Sequence, residues 1–271
     1  MVRSLWAGAT GMLAQQTQVD TISNNISNVN TAGFKVSQNE FKSLLYQELQ
    51  TKTTTANGEK KPIDSQVGLG VRSSSITTIF RQGAFLESAS NTALAINGDG
   101  FFAVKRRDGS TGYTRNGNFN LAVTSTGLAL TDSDGNAVLD TKGKPIELKG
   151  NYTASQVSIS ADGELSYPDE QFQPKSLGMT IGLWQFNNPA GLEKLDGSLY
   201  LVTGASGPAQ NEATAKGLQK STIAQGYIEG SNVQLADEMV NLIVAQRAYE
   251  ANSRVITTTD TMMQQANQLK Q

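Results

Sequence analysis

The sequence contains neither cysteine nor histidine among its 271 residues. Without cysteine the chain has no disulfide, no thiolate nucleophile and no zinc site of the usual cysteine-rich kind. Without histidine it also lacks the commonest general base and metal ligand. Any catalysis would rest on carboxylates, lysine or tyrosine, and the sequence predicts no contact between paired carboxylates. We therefore expect no enzymatic activity, no catalytic, cofactor-binding or metal-binding residues, and no cofactor.

Charges and long apolar runs are also scarce. Lys and Arg number 22 against 24 Asp and Glu, so the formal net charge is -2, and charged residues make up only 17% of the chain. A near-neutral chain lacks the basic face that nucleic acids require, so no nucleic-acid partner is expected. No run approaches the 18 apolar residues of a membrane-spanning helix, and Gln15, Gln16 and Asp20 interrupt the apolar start. The sequence predicts neither membrane insertion nor a cleaved secretory signal.

What the chain does contain is an apolar stripe at each end. Residues 4 to about 29 are predicted as a helix, with Ser4 as a plausible N-cap. The N-terminal stripe repeats every seven positions, at Leu5, Met12, Val19 and Ile26, and beside it runs a weaker second seam at Met1, Gly8, Gln15, Ile22 and Val29. The C-terminal stripe has the same spacing, at Leu235, Leu242, Tyr249, Ile256 and Met263. Such spacing lets a helix press one seam on a partner helix. We expect the two ends to pair as a coiled coil and to meet neighbouring copies; the alternative is an ordinary amphipathic helix on a globular core.

The C-terminal helix is predicted over residues 231–271. No glycine or proline follows Gly230. Ser231 or Asn232 could cap the helix, and Asp237 and Glu238 lie in its early turns, where the helix dipole favours acids.

Between the two ends the apolar period falls to two. Alternating apolar residues occur at Leu94 and Ile96, Phe102 and Val104, Phe119, Leu121 and Val123, Leu128 and Leu130, and Leu199 and Leu201. Turn dipeptides separate these runs at Asn97-Gly98, Asp99-Gly100, Asp108-Gly109, Asn116-Gly117, Asp134-Gly135, Asp162-Gly163 and Asp196-Gly197. Short runs of this kind predict an antiparallel β domain.

The predicted fold class is therefore α+β, with long terminal helices and a central antiparallel β-rich domain. The polar stretch from Thr51 to Gln66 opposes a helix and indicates a loop or a long β-hairpin turning at Asn57-Gly58, with a floppy linker as the alternative. We expect four segments: an N-terminal helix (1–33), an extended connecting segment (34–67), the β domain (68–226) and a C-terminal helix (227–271).

Specific sequences at the ends and in the middle resemble the family of bacterial flagellar rod and hook proteins. They are ISNNISNVNTAGFK at residues 22–35, VQLADEMVNLIVAQRAYEANSRVITTTD at 233–260, NGDGFFAV at 97–104 and YTRNGNF at 113–119. FKSLLYQ at 41–47 and VGLGVR at 67–72 resemble the distal-rod branch of that family. The signature positions carried over from the resemblance are Asn24, Asn25, Asn28, Gly33, Phe34, Tyr46, Gln47, Gln246, Arg247 and Tyr249.

The resemblance implies a self-assembling subunit of a rigid helical tube. In that family the terminal helices pair as a coiled coil lining the tube, the β domain lies outside, and the segment at 48–66 stiffens the distal rod. Subunits of that family pass unfolded through the flagellar export apparatus without signal cleavage. The rod crosses the periplasm in the basal body and transmits motor torque to the hook.

The expected partners are further copies of this chain, proximal rod proteins, the hook protein, periplasmic and outer-membrane ring proteins, and the export apparatus. The open alternatives are a proximal rod or hook-type axial protein, or a β-rich binding module with coiled-coil oligomerising ends.

Overall fold

A computed structural model describes residues 2–50, 65–124, 127–148, 153, 156–169, 173–215 and 217–269. The chain forms two compact units. The first contains Met1–Ser27, Ser37–Thr77 and Gln234–Gln271, and the second contains Asn28–Val36 and Thr78–Val233. An N-terminal helix, a β-rich middle and a C-terminal helix make this an α+β protein, as the sequence predicts.

The first unit contains both long helices and four strands. They are α1 (Val2–Ser27), β1 (Ser37–Ser43), β2 (Tyr46–Gln50), β3 (Ser65–Gly68), β4 (Val71–Thr78, whose last residue falls in the second unit) and α2 (Leu235–Gln268). β1 pairs with β4, and β2 pairs with β3 in antiparallel register, with Tyr46 opposite Gly68. The β2–β3 pair brackets the predicted turn at Asn57-Gly58, which lies outside the described residues.

The helix ends differ from the predicted ones for identifiable reasons. α1 already begins at Val2, so Ser4 is not its N-cap. It ends at Ser27, where Asn28 begins a turn by accepting hydrogen bonds from Thr31 at both its backbone and its side-chain oxygen. α2 begins only at Leu235, because Gln234 before it is extended and the side-chain amide of Asn232 binds the backbone of Val36 and Ile79 instead of the helix terminus.

Among its described residues the second unit contains seventeen short strands and, at Pro189–Gly191, a 3-10 turn. The strands are β5 (Phe85–Glu87), β6 (Leu94–Asn97), β7 (Phe101–Lys105), β8 (Thr111–Thr114), β9 (Asn120–Thr124), β10 (Gly127–Thr131), β11 (Ala137–Val138), β12 (Glu147–Leu148), β13 (Ser158–Ile159), β14 (Glu164–Pro168), β15 (Pro174–Thr180), β16 (Leu183–Gln185), β17 (Glu193–Lys194), β18 (Leu199–Leu201), β19 (Gln210–Asn211), β20 (Thr222–Gln225) and β21 (Tyr227–Glu229).

Its largest sheet has ten strands. The main order is β12-β10-β11-β7-β8-β18-β17, with β9 attached to β10, β16 to β7 and β19 to β16. The three strands β13-β14-β15 form a second sheet, and β20–β6 and β21–β5 are separate pairs. Each of these pairings is antiparallel, which confirms the antiparallel β domain.

β7 is buried on both faces. Phe102 and Val104 pack in one core with residues such as Leu130, while Phe101 and Ala103 pack in a second, aromatic-rich core. Strands with one solvated face show apolar–polar alternation, so β7 departs from that simple pattern because the sheet carries a core on each side.

Candidate subunit-assembly surfaces

The helices α1 and α2 pack against each other in opposite directions. Contacts join early residues of α1 to late residues of α2 and the reverse: Ser4 with Thr259, Gly8 with Ile256, Gly11 with Asn252, and Asn25 with Glu238. A Cβ added at Gly8 would lie 3.0 Å from Cγ1 of Ile256, and one at Gly11 would lie 2.7 Å from Nδ2 of Asn252. The two backbones can approach this closely because both α1 positions lack a side chain.

The buried residues of the two helices are mostly small or polar. They are Gly8, Gly11, Ala14, Thr21, Ile22 and Asn25 on α1, and Ala245 and Thr259 on α2. Each glycine lowers the intrinsic stability of a helix by about 1 kcal/mol relative to alanine. α1 therefore depends on packing, both against α2 and against the start of β1.

The predicted stripe residues occupy several environments. Ile22 is buried, seven others are half-buried, and two are exposed: the half-buried ones are Leu5, Met12, Val19, Ile26, Leu242, Ile256 and Met263, and the exposed ones are Leu235 and Tyr249. Val19 and Tyr249 face the same groove beside the helix pair, about 430 Å³ in volume, together with Gln16, Gln246 and Glu250. Across the helix pair, Gly8 of the weaker N-terminal seam thus meets Ile256 of the C-terminal stripe, while Val19 of the stronger N-terminal stripe lies in the flanking groove.

Large apolar side chains project from both helices into solvent. On α1 these are Trp6 and Leu13, each about 65% exposed. On α2 they are Leu235, Met239, Val240, Ile243, Val244, Val255 and Met262, between 44% and 61% exposed. Many large apolar side chains exposed on the same elements indicate an interaction site. The described residues of the chain leave it uncovered.

Asn25 is the signature residue with the most specific role in the first unit. Its Oδ1 accepts a hydrogen bond from Ser37 N, and its Nδ2 donates to Ser37 O, both at 2.9 Å. The same Nδ2 donates to Oε2 of Glu238 on α2, at 3.2 Å. One buried amide thereby joins α1, the start of β1 and the first turn of α2. Its neighbour Asn24 is exposed and lines a second groove, about 350 Å³ in volume, beside Ser37.

Gly33 and Phe34 serve the second unit. Gly33 has φ +69°, and its N–H donates to Glu229 O at 2.7 Å. A Cβ there would lie 2.5 Å from the backbone nitrogen of Asn116, so only glycine fits both the conformation and the space. Phe34 presents its ring to the Lys194 ammonium, 5.6 Å from the ring centroid.

Five further signature residues are exposed, namely Tyr46, Gln47, Gln246, Arg247 and Tyr249. Tyr46 and Gln47 lie on β2, and Gln246 lies on the outer part of α2. Arg247 forms an ion pair with Glu250 at 3.2 Å, but both side chains are more than half exposed. An exposed pair of this kind contributes little stability, so stability alone does not account for these residues.

A buried charge cluster lies within the second unit, and the sequence patterns did not single it out. Lys35 Nζ donates to Oε1 of Glu229 at 2.5 Å, and Arg115 Nη1 donates to Oε2 of the same carboxylate at 3.3 Å. All three side chains are essentially inaccessible. Burial lowers the pKa of Lys35, and the Glu229 carboxylate opposes that shift. Burial also lowers the pKa of Arg115, and Glu229 again counters the effect. A usable signal was present, because each of the three charges interrupts an otherwise apolar or turn-forming motif.

Within the part of the chain that the structure describes, no group of carboxylates is arranged to hold a metal ion. Neither described helix has an apolar stretch long enough to cross a bilayer. The surfaces that stand out are the exposed helix faces and the grooves beside the helix pair.

Comparison with known proteins identifies what these surfaces belong to. Three family models match: "Flagella basal body rod protein" over residues 5–35, "Flagellar hook protein FlgE/F/G D1 domain" over 95–167, and "Flagellar basal body rod FlgEFG protein C-terminal" over 224–269. The flagellar basal-body rod protein FlgG of Borreliella burgdorferi is 41% identical over 273 residues, covering 100% of this chain and 99% of its own. The chain belongs to the FlgG family of flagellar basal-body rod proteins.

Other FlgG relatives agree. The protein of Buchnera aphidicola subsp. Acyrthosiphon pisum is 40% identical over 99% of this chain and 100% of its own, and that of Bacillus subtilis is 38% identical over 100% of both. As a member of the FlgG family the chain is a structural subunit of the flagellar rod and not an enzyme. It is located in the flagellar basal body and assembles with other basal-body components.

Proposed function

We propose that this chain polymerises through α1 and α2 into the rigid helical tube of the distal rod, which transmits motor torque to the hook. The observation that carries the proposal is the exposed apolar surface on both helices. In this proposal α1 and α2 of one subunit pair as a coiled coil, and neighbouring copies cover their outer faces. The contact is heterologous and does not close on itself, so a helical assembly grows.

The size of the apolar face on α2 supports an assembly with several neighbours. Its seven apolar side chains are about half exposed. Full burial of one such side chain contributes about 1.5–3 kcal/mol, so covering the exposed halves contributes roughly 5–10 kcal/mol. Association costs about 4–15 kcal/mol in lost translational and rotational freedom. One contact therefore roughly breaks even, and stable growth requires each subunit to touch several copies.

The four-segment division is part of this proposal. The helices at 1–33 and 227–271 would form the tube wall, the β region at 68–226 would lie outside, and the segment at 34–67 would bridge subunits and stiffen the tube. Exposed Tyr46 and Gln47 on β2 support a bridging role. Most of the stiffening segment, residues 51–64, lies outside the described residues.

The proposed partners follow from the rod's position in the basal body. They are the proximal rod proteins below, the hook protein above, the periplasmic and outer-membrane rings around the rod, and the export apparatus that delivers the subunit. Family membership is the support for these partners, and no residue of this chain is assigned to any of them.

The test is assembly of purified full-length protein, followed by negative-stain electron microscopy. We expect straight tubes of uniform diameter from the unchanged protein and none from Ile243→Asp, because the new charge would be buried in an apolar contact. Thr261→Asp is the matched control. It places the same charge five turns further along α2 and in the same direction, but away from Met239, Val240 and Val244, the apolar neighbours of Ile243. Tubes from Ile243→Asp, or small closed particles from the unchanged protein, would contradict the proposal.

A further inference from the structure

Three segments of the second unit lie beside the points where the chain passes to the first unit. They are residues 33–36, residues 79–83 and residues 229–232. Three of the four chain connections between the units leave within two residues of these segments, after Val36, Thr77 and Val233. Contacts that hold these three segments together therefore also hold together the second-unit ends of three connections.

The side chain of Asn232 binds the other two segments. Its Oδ1 accepts a hydrogen bond from Val36 N at 2.7 Å. Its Nδ2 donates to Ile79 O and to Arg81 O, both at 2.9 Å. Ile79 N in turn donates to Val36 O at 2.9 Å. A single amide thus satisfies three backbone groups from two separate stretches of chain.

Lys35 and Glu229 link the same segments a second time. Lys35 Nζ donates to Arg81 O at 2.9 Å as well as to the Glu229 carboxylate. Oε1 of Glu229 also accepts from Gly83 N at 2.8 Å, and the backbone oxygen of Glu229 accepts from Gly33 N. Because both charges are buried, loss of Glu229 would leave Lys35 uncompensated away from water, and loss of Lys35 would leave Glu229 with only the longer contact to Arg115.

Arg115 attaches this network to the β region. Its Nη1 contacts the Glu229 carboxylate, its Nη2 donates to Gly98 O at 2.7 Å, and its guanidinium lies 5.1 Å from the ring centroid of Phe101. The network therefore ends on the buried strand β7 instead of on a surface loop.

We propose that Lys35, Glu229 and Asn232 form a connector clamp, a cooperative element that opens as one piece and carries torsional load into the β region. The load-bearing part rests on the proposed function, while the cooperativity does not. Each bond of the clamp shares a residue with another bond, so release of one segment removes partners from the other two. The clamp is a positioning device and takes no ligand.

The test is amide hydrogen exchange of the full-length protein in dilute solution, with Gly33, Val36, Ile79 and Gly83 as reporter amides. Lys35→Met unpairs the buried carboxylate from its nearest cation, and removing one member of a buried pair should speed exchange at all four reporters by at least about 100-fold. It directly removes no bond made by Val36 or Ile79, so a response there measures cooperativity.

Asn232→Ala removes the clamp bonds to Val36, Ile79 and Arg81. It leaves no ion unpaired, so it remains informative if Lys35→Met does not fold. It removes no bond to Gly33 or Gly83, yet we expect those amides to accelerate by the same factor as Val36. Amides of β7 should be unchanged, and Arg247→Met, in an exposed ion pair, is the control that should alter none of the four reporters. Acceleration confined to the amides bonded to the changed residue, or equal acceleration of β7, would overturn the clamp.

The load-bearing part has a separate measurement. Tubes assembled from Asn232→Ala should bend more than unchanged tubes, as measured by the persistence length of single tubes in electron micrographs. Equal persistence lengths would overturn load transfer through the clamp. Because the exchange experiment uses dilute protein, failure of the clamp and failure of tube formation give different results.

Discussion

Gly33→Ala is the sharpest test of the structure at a signature position. Gly33 has φ +69°, where an alanine pays about 1–2 kcal/mol for the left-handed conformation. In addition, the new Cβ would lie 2.5 Å from Asn116 N and 2.7 Å from Arg115 C. These are backbone atoms of a buried segment and cannot turn aside as a flexible side chain could. Overpacking of this kind costs about 1–3 kcal/mol more.

Gly143→Ala is a matched control in the same unit. Gly143 has φ +72°, nearly the same as Gly33, but nothing lies within 4 Å of its added Cβ. The control therefore includes the conformational cost and excludes the clash. The difference between the two variants should be about 1–3 kcal/mol, which comes from the clash alone.

The assay is thermal unfolding of the full-length protein, followed by near-ultraviolet circular dichroism of the aromatic-rich second core. For a unit of this size 1 kcal/mol corresponds to about 2–4 °C, so Gly33→Ala should melt roughly 2–12 °C below Gly143→Ala. Equal melting temperatures would refute the reasoning, because they would mean that the contact with Asn116 relaxes without cost. A larger loss in Gly143→Ala would refute it as well.

Two further predictions concern the tube. Gly11→Leu should prevent assembly, because any side chain beyond Cβ must push Asn252 and α2 away. Gly11→Ala should still assemble, because the tip of the Asn252 side chain can turn aside and alanine favours the helix by about 1 kcal/mol. Tubes from both variants in electron micrographs would argue against a close approach of the two helices. Deleting residues 50–66 should give tubes that form but have a shorter persistence length than unchanged tubes, and equally straight tubes would count against a stiffening role for this segment.

Periodicity predicted the elements well and their ends less well. The seven-residue repeats indicated both long helices, and the turn dipeptides around alternating runs indicated the antiparallel β region. The start of α2 was misjudged because Asn232 is a good capping residue by type, while in the fold its amide satisfies Val36, Ile79 and Arg81. A residue's local preference cannot reveal a competing partner from a distant part of the chain.

The contact face of the helix pair shows a second limit. Apolar spacing gave most weight to the stripe containing Leu5 and Val19, yet the closest approach runs through Gly8 and Gly11. A seven-residue pattern is recognised by its apolar side chains, whereas two helix backbones approach most closely where side chains are absent. The buried charges of Lys35, Arg115 and Glu229 were missed for a related reason, since their pairing spans 194 residues between Lys35 and Glu229.

The arrangement of α1 and α2 is that of membrane helices more than that of a water-soluble pair. Small and polar residues such as Gly11 and Asn25 lie inside, and large apolar residues such as Trp6 and Val244 point outward. Transmembrane helices associate in this way because the surrounding lipid is as apolar as their own surface. For this subunit, neighbouring copies would take the place of lipid, and a lone subunit in water is like a membrane segment without its bilayer. The apolar face of such a subunit would stay in contact with water until neighbouring copies cover it.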